Sequence, residues 1–443
     1  MTTHILYDFG DFMTEAHTIY MEDIREGNPQ AFTRKRKTTP YQLMLQMFSQ
    51  KGNTQFSELL NFYAAQGQPL DISTVAFYKA RMKYNPNALW LMMKDYMSKI
   101  YEERNRQLVK LNGYIITAID GSDIVLPSTQ ENAEKYGRHV GPGDVSPVMG
   151  KISLLYDCVN KLVIDTRIGR YKHSEQAFAA EHLVTLKETL RQPTITTFDR
   201  GYFSMRLVDQ MCDANQKFVI RMNAVNLKRY TGQVASGEDR TFNMQFDRLQ
   251  TNGYRQDHGF RNKVMNTTYP LRVAKIPLTR TETGEIYDEI LLTNLTAEEC
   301  SMTDLKEIYR LRWSVETAYN ILKNRMKLEE FSGVRERLIL QDIYCCVWLY
   351  NLTMLQIIEG NETTEIPQDR YKYEMKRNMS ITIGVVKTYF IKALMSPTQK
   401  ERRESMKQMN TLIMKHLVPI RPNRSIKRKT SVNKSRRSYR YTY

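Results

Sequence analysis

Near residue 111 the apolar pattern of the chain changes period, and that switch limits the folds open to it more than any other feature. Before it, YQLMLQMFSQ, FSELLNFYAAQG and DISTVAFYKARMKY carry apolar residues at helical spacing from 39 to about 110, with breaks at Gly52 and Gly67 and a cap at Ser73 or Thr74. After it, short apolar runs predict strands: YIITAI (114–119), KISLLYDCV and KLVIDTRI turning at Asn160, TITTF (194–198) and KFVIRM. Two helical stretches, SEQAFAAEHLVTLKETL (174–190) and YFSMRLVDQMCDANQ, lie between them. Strands alternating with helices predict an α/β core.

From about 224 to 295 little helix is expected, because polar turns such as TGQVASGED alternate with candidate strands LRVAKIP and YDEILLT. Helix returns at Met302, capped at Thr303, and runs to about Lys327; further helices fill 334–413. The resulting division is 1–110, a helical N-terminal region; 111–223, the first part of the core; 224–300, a β-rich insertion; 301–370, the second part of the core; 371–420, a C-terminal helical region; and 421–443, a basic tail.

With 41% hydrophobic residues in 443, the chain has ample material for a buried core, which excludes a wholly disordered, collagen-like or coiled-coil protein. Five cysteines, odd in number and without a CxxC pair, read as reduced thiols of a cytosolic protein, not as disulfides or a zinc site. The acid-bearing N-terminus has no apolar signal core, so no secretory leader is expected. Residues 343–358 are apolar but interrupted by Asn351, Thr353 and Gln356; they predict a buried helix and no membrane partner.

Lys and Arg number 65 against 48 Asp and Glu, a net charge of +17. Nine of the basic residues fall in 421–443 with no acid, among them Lys427, Arg428, Lys429, Arg436 and Arg437. A second block is Arg34, Lys35, Arg36 and Lys37. Such blocks favour a polyanion, DNA or RNA, because each phosphate contact releases counterions; the plainer reading of the tail is a solvating segment. Lys79, Arg81 and Lys83, expected on an exposed face of a short helix, suggest a DNA-docking helix-turn-helix module or an ordinary bundle with a charged face.

Two predicted strands end in aspartate: ITAIDGS at Asp120 and TTFDRGY at Asp199. Carboxylates at strand C-termini can share a crevice, although each could simply cap a turn. Asp123, past the strand end, and Asp165, pointing from mid-strand to solvent, rank lower. In KEIYRLRWSVETAYNILKNRMK, Tyr309, Arg312, Glu316 and Lys323 fall within roughly 60° around a regular helix. Ile308, Val315, Tyr319, Leu322 and Met326 form the neighbouring face that packs on the sheet. Glu316 could join the two aspartates as oxygen ligands for two Mg²⁺ or Mn²⁺ ions. Arg312 and Lys323 suit phosphate, and Tyr309 could bond phosphate or stack on a base. The competing reading is an Arg312–Glu316 salt-bridge face. His182 reads as a helix-orienting residue, and Cys345, Cys346 and Trp313 as packing.

These residues resemble the bacterial cut-and-paste DDE transposases of the insertion-sequence group marked by a YREK signature. The signature stands as YRLRWSVETAYNILK, with Tyr309, Arg312, Glu316 and Lys323; the aspartate motifs stand as DGS at Asp120 and DRGY at Asp199. The resemblance covers about 35 to 350. It implies an RNase H-like catalytic core interrupted by the β-rich insertion, with a helical N-terminal DNA-binding region. It implies Asp120, Asp199 and Glu316 as the metal-binding catalytic triad, with two Mg²⁺ ions for which Mn²⁺ substitutes. Tyr309, Arg312 and Lys323, with Arg200 of DRGY, would hold transposon-end DNA. The implied partners are double-stranded inverted repeats and target DNA, bound by a homodimer on the nucleoid in a bacterial cytoplasm.

Hydrolysis would free a 3′-hydroxyl that attacks target DNA, in better-known relatives after a hairpin step. Those relatives place a tryptophan in the insertion; here Trp90, Trp313 and Trp348 all lie outside it, leaving Tyr254, Phe260, Tyr269 or Tyr287 as substitutes. The alternatives are an inactive or domesticated DNA-binding relative and a basic nucleic-acid scaffold.

Overall fold

The computed structural model describes residues 5–421 apart from 35, 51, 104–107, 141–145, 281–282, 364–365, 367 and 397. Lys427, Arg428, Lys429, Arg436 and Arg437 lie outside the described residues, as does Lys35.

The N-terminal helices begin and end where local chemistry dictates. Pro40–Ser49 opens with a capping box between Thr39 and Gln42, Gln55–Ala64 is capped by Thr54, and Thr74–Arg81 by Ser73. Gly52 and Gly67, at φ of 101° and 65°, supply the left-handed backbone at the two breaks between these helices.

The central sheet has eight strands: β1 (Ile115–Val125), β2 (Met149–Asp157), β3 (Leu162–Arg170), β4 (Thr194–Phe198), β5 (Lys217–Met222), β6 (Asp239–Met244), β7 (Tyr269–Thr279) and β8 (Ile286–Thr293). Their spatial order is β3-β2-β1-β4-β5-β8-β7-β6. The β1–β2 and β2–β3 pairs are antiparallel, while β1–β4 and β4–β5 are parallel. This 3-2-1-4-5 arrangement is RNase H-like. The β-rich insertion is not a separate lobe: β8 pairs antiparallel with β5, so β6, β7 and β8 extend the same sheet. It also holds the helix His258–Asn266, in a stretch where little helix was expected.

The helix Glu336–Thr363 runs through the core. Its 336–361 part is long and apolar enough to cross a membrane, yet 78% of its most apolar window is buried inside the protein. Trp348 sits at its centre, with ring centroids of Phe9, Tyr96 and Phe48 at 5.3, 5.6 and 6.3 Å. Asn351 reaches β3, where its side-chain amide accepts from Val163 N at 2.8 Å and donates to Val163 O at 2.7 Å. That pairing satisfies backbone groups beside the β2–β3 irregularity at Leu155 and Tyr156. Cys345 and Cys346 are buried, as expected.

Arg81 departs from its sequence reading. It is 1% exposed and is no candidate for a surface DNA contact. Its guanidinium donates to Gln341 Oε1 at 2.9 Å and Asp342 Oδ1 at 2.8 Å, and also to Ser332 Oγ. Gln341 returns bonds to the Arg81 and Tyr84 carbonyls. An arginine on the polar face of a short helix here meets Gln341 and Asp342 on the core helix Glu336–Thr363 instead of water. Lys79, two residues earlier, is exposed.

Candidate active site

β1 and β4 pair in parallel only as far as Ala118 and Thr197. β4 stops at Phe198, but β1 continues to Val125 against β2 alone. Asp120 and Asp199 therefore stand at the same level, each just past the last shared pair, where the sheet opens into a crevice. Asp120 and Asp123 lie within β1 and not beyond its end, because the β2 ladder sustains the strand through the polar residues. Asp165 is buried, not solvent-facing. Burial would raise its carboxyl, but His182, Arg167 and Trp90 outweigh it and hold it well below the usual range.

The expected single helix is three consecutive pieces: Met302–Leu311, Ser314–Asn320 and a wide π turn at Ile321–Arg325. Ser301, not Thr303, caps the first through a box with Asp304. At the first junction Arg312, Trp313 and Val315 donate to carbonyls three residues back, which tightens the rod. Ile308, Val315, Tyr319, Leu322 and Met326 are buried against the core, as the pattern predicted.

The polar side chains are stitched to β1. Tyr319 Oη donates to Asp120 O at 2.7 Å, Lys323 Nζ to Ser122 Oγ at 2.8 Å and to Asp123 O, and Val125 N donates to Glu329 Oε1 at 3.2 Å. The serine of DGS thus serves the lysine. Charged hydrogen bonds of this kind are worth about 1.5–3 kcal/mol when buried; since Lys323 is partly exposed, Lys323→Met is expected to cost roughly 1–2 kcal/mol. A urea midpoint equal to that of the wild type would show the bonds to be idle.

Arg312 is the electrostatic centre, its side chain 5% exposed and 4.0 Å from Glu316 Oε1. Burial opposes its charge, but Tyr309, Asp120 and Asp199 outweigh that and hold it protonated. Tyr309 is buried, so stacking on a base is closed to it; its hydroxyl faces Asp199 Oδ1 at a long 3.5 Å. The Asp120 carboxyl is pushed up to about 7, first by burial, against the pull of Arg312, and further by Glu175, Glu316 and Asp199. Acids from β1, β4 and the helical rod thus share one field. Among the described residues no three His, Cys, Asp or Glu side chains gather closely enough to hold a metal ion. Arg312 supplies the positive charge between them.

Two acids were not anticipated. Glu175 opens the helix Glu175–Thr189 and places its carboxylate beside Gly121 and Gly201; in sequence it reads only as a first-turn acid. Glu289 on β8 pairs with Arg221 at 3.5 Å, and burial raises its carboxyl despite Arg221 and Arg312. Nothing in its spacing signals this, because the contact depends on where the insertion docks.

Trp313 is 51% exposed beside Arg312, at 5.2 Å from guanidinium carbon to ring centroid, and does not pack in the core as expected. Arg200 is exposed on the short turn after Asp199. In the insertion, Tyr269 is buried and donates to Asp209 at 2.7 Å, so it cannot receive a base. Tyr254 and Phe260 stack edge-on under Arg206, and Tyr287 lies under Arg280.

Ser153, His182 and Asp165 are linked at 3.0 and 2.9 Å, like a nucleophile–base–acid series. All three are buried, so no substrate reaches Ser153. Ser153 instead donates to Asp120 O at 3.3 Å, and the series ties the Glu175–Thr189 helix to β1, β2 and β3. His182 orients its helix, as its sequence setting suggested.

The sheet order, with acids just past its central parallel pair, defines a protein of the RNase H-like class. The model of the transposase DDE domain matches residues 111–352, and the chain belongs to that family: it is a DDE transposase. Among solved structures, the chain is similar to a piggyBac transposase seen by cryo-electron microscopy in a synaptic complex with hairpin DNA. The two are 12% identical with a TM-score of 0.44, over 89% of this chain and 83% of that one. Comparison with curated proteins gave no match.

Proposed function

We propose that this transposase cuts and joins DNA in the crevice, with Asp120, Asp199 and Glu316 as its catalytic carboxylates, and that it belongs to the insertion-sequence group marked by Tyr309, Arg312, Glu316 and Lys323. The observation that carries this reading is the convergence of acids from β1, β4 and the helical rod on the buried Arg312. An all-oxygen donor set suits Mg²⁺ or Mn²⁺, and the raised Asp120 carboxyl marks a pocket with surplus negative charge. Asp120, Asp199 and Glu316 would hold two such ions, which when bound activate a water or 3′-hydroxyl and stabilise the leaving oxygen.

The protein's own groups then have separable tasks. Asp120 is fixed through its carbonyl by Tyr319 and Ser153, and Tyr309 steadies Asp199. Glu316 serves the site by leaving Arg312. The guanidinium, whose buried Nε has no hydrogen-bond partner among the described residues, is then available to a phosphate oxygen. Lys323 holds the Ser122–Asp123 segment beside the scissile strand. Lys79, Arg200 and the basic tail contribute contacts to duplex DNA, and two copies act together on paired inverted repeats before target joining, on the nucleoid of a bacterial cell.

The test is cleavage of DNA carrying the gene's own flanks. Purified protein with Mg²⁺ or Mn²⁺ is expected to release 3′-hydroxyl ends at paired inverted repeats, and none in EDTA. Cutting that persists in EDTA would overturn the metal chemistry. Binding without cutting in either metal would favour a DNA-binding protein that has lost catalysis.

A further inference from the structure

Gly121 and Gly201 belong to the two aspartate motifs, and neither has the left-handed backbone that ordinarily calls for glycine. What they share is a neighbour. A Cβ on Gly121 would lie 3.3 Å from Glu175 Oε1, and one on Gly201 would lie 3.7 Å from Glu175 Oε2. The Glu175 carboxylate is thus lodged in the seam between DGS and DRGY, one oxygen against each motif. Its position is fixed from behind, because His182 on the same helix is bonded to Asp165 and Ser153. From the side, Lys151 Nζ donates to Oε1 at 3.1 Å.

We propose that Glu175 is a fourth carboxylate of the cation site, presenting Oε2 to an ion held by Asp120 and Asp199 while Lys151 steadies Oε1. The proposal rests on the reading of Asp120 and Asp199 as cation ligands. A Cβ on Gly121 would crowd the Glu175 carboxylate, whereas one on Gly201 would make an ordinary contact, so it is the DGS glycine that keeps room for it. Two divalent ions carry four positive charges against three carboxylates, one of them drawn to Arg312. Oxygen sites tune affinity by the number of charged ligands, so a fourth acid strengthens the hold.

Binding of Mn²⁺ alone to the full chain, followed by the electron paramagnetic resonance of free Mn²⁺ at neutral pH, tests this without DNA or turnover. Glu175→Gln, the same shape without the charge, is expected to weaken Mn²⁺ binding about tenfold, and Glu175→Asp to fall between it and the wild type. Lys151→Met should tighten binding, since it removes a cation from the ligand; a purely structural pair would lower stability and leave affinity unchanged. Asp120→Asn serves as the reference. If it weakens binding while Glu175→Gln and Lys151→Met do not alter it, the fourth ligand is wrong and the triad stands. If Asp120→Asn also binds as the wild type does, the cation site itself is misplaced and the proposal falls with it.

Discussion

Asp120→Asn is expected to abolish strand cleavage while making the metal-free protein more stable. The loss should reach about a thousandfold or more, roughly 4 kcal/mol of barrier, because the amide keeps the shape of the carboxylate but not its charge toward a cation. The gain follows from the crowding of acids. In the folded protein the Asp120 carboxyl is pushed up to about 7 by burial and its neighbours, from an ordinary value of 3.8. A raised folded-state pKa means that the folded chain binds the proton more tightly than the unfolded one. Stability from this group is therefore present at low pH and is lost as pH rises through about 7. At about 1.4 kcal/mol per unit, the shift bounds the penalty at roughly 4 kcal/mol; solvent entering the crevice reduces it to about 1–2 kcal/mol. Urea unfolding at pH 8 without metal should show the variant more stable by that amount, and at about pH 3, below both the folded and the unfolded values, the two should converge. A variant that cuts normally, or one that is inactive and equally destabilised at both pH values, would remove Asp120 from the catalytic set.

The second large effect lies far from the chemistry. Arg81→Met should cost about 3–5 kcal/mol, because removing one partner of a buried ion pair leaves the other charge stranded. Asp342, with its side chain 11% exposed, would be that charge. Asp342→Asn added to Arg81→Met should recover much of the loss, since the amide oxygen can still accept from Ser332 N, which now donates to Asp342 Oδ2 at 2.7 Å. Urea midpoints of the single and double variants give the comparison. A single variant within 1 kcal/mol of the wild type, taken as about the worth of one ordinary hydrogen bond, would mean that the Thr74–Arg81 helix is not anchored here.

The contrast between Asp120 and Arg81 shows what the sequence makes legible. That Asp120, Asp199 and Glu316 come near one another could be anticipated because each ends or punctuates a local apolar pattern, and such patterns survive without knowledge of the partner. Arg81 could not, because helical periodicity reports which residues share a face and not what that face meets; its partners Gln341 and Asp342 lie some 260 positions away. The full length of β1 was hidden for a related reason. Asp120 read as the end of the strand and Asp123 as lying past it, and only the β2 ladder, set by the fold, carries the strand on to Val125. Glu175 resembled any acid at a helix start, and its meaning depends on two glycines brought beside it by β1 and β4. Trp313 looked like core material because the junction that turns it outward breaks the regular spacing.

The wide turn at Ile321–Arg325, where Met326 N donates to Ile321 O at 2.9 Å, changes how the four-residue signature should be copied. On a straight helix the seven-residue step from Glu316 to Lys323 would return the lysine to nearly the same bearing as the glutamate. The extra residue in the turn slackens the winding there and aims the lysine at Ser122 and Asp123 instead. Grafting these letters onto an idealised designed helix would therefore carry over the spelling and misdirect the ammonium group; a faithful transplant must bring the irregular turn with it.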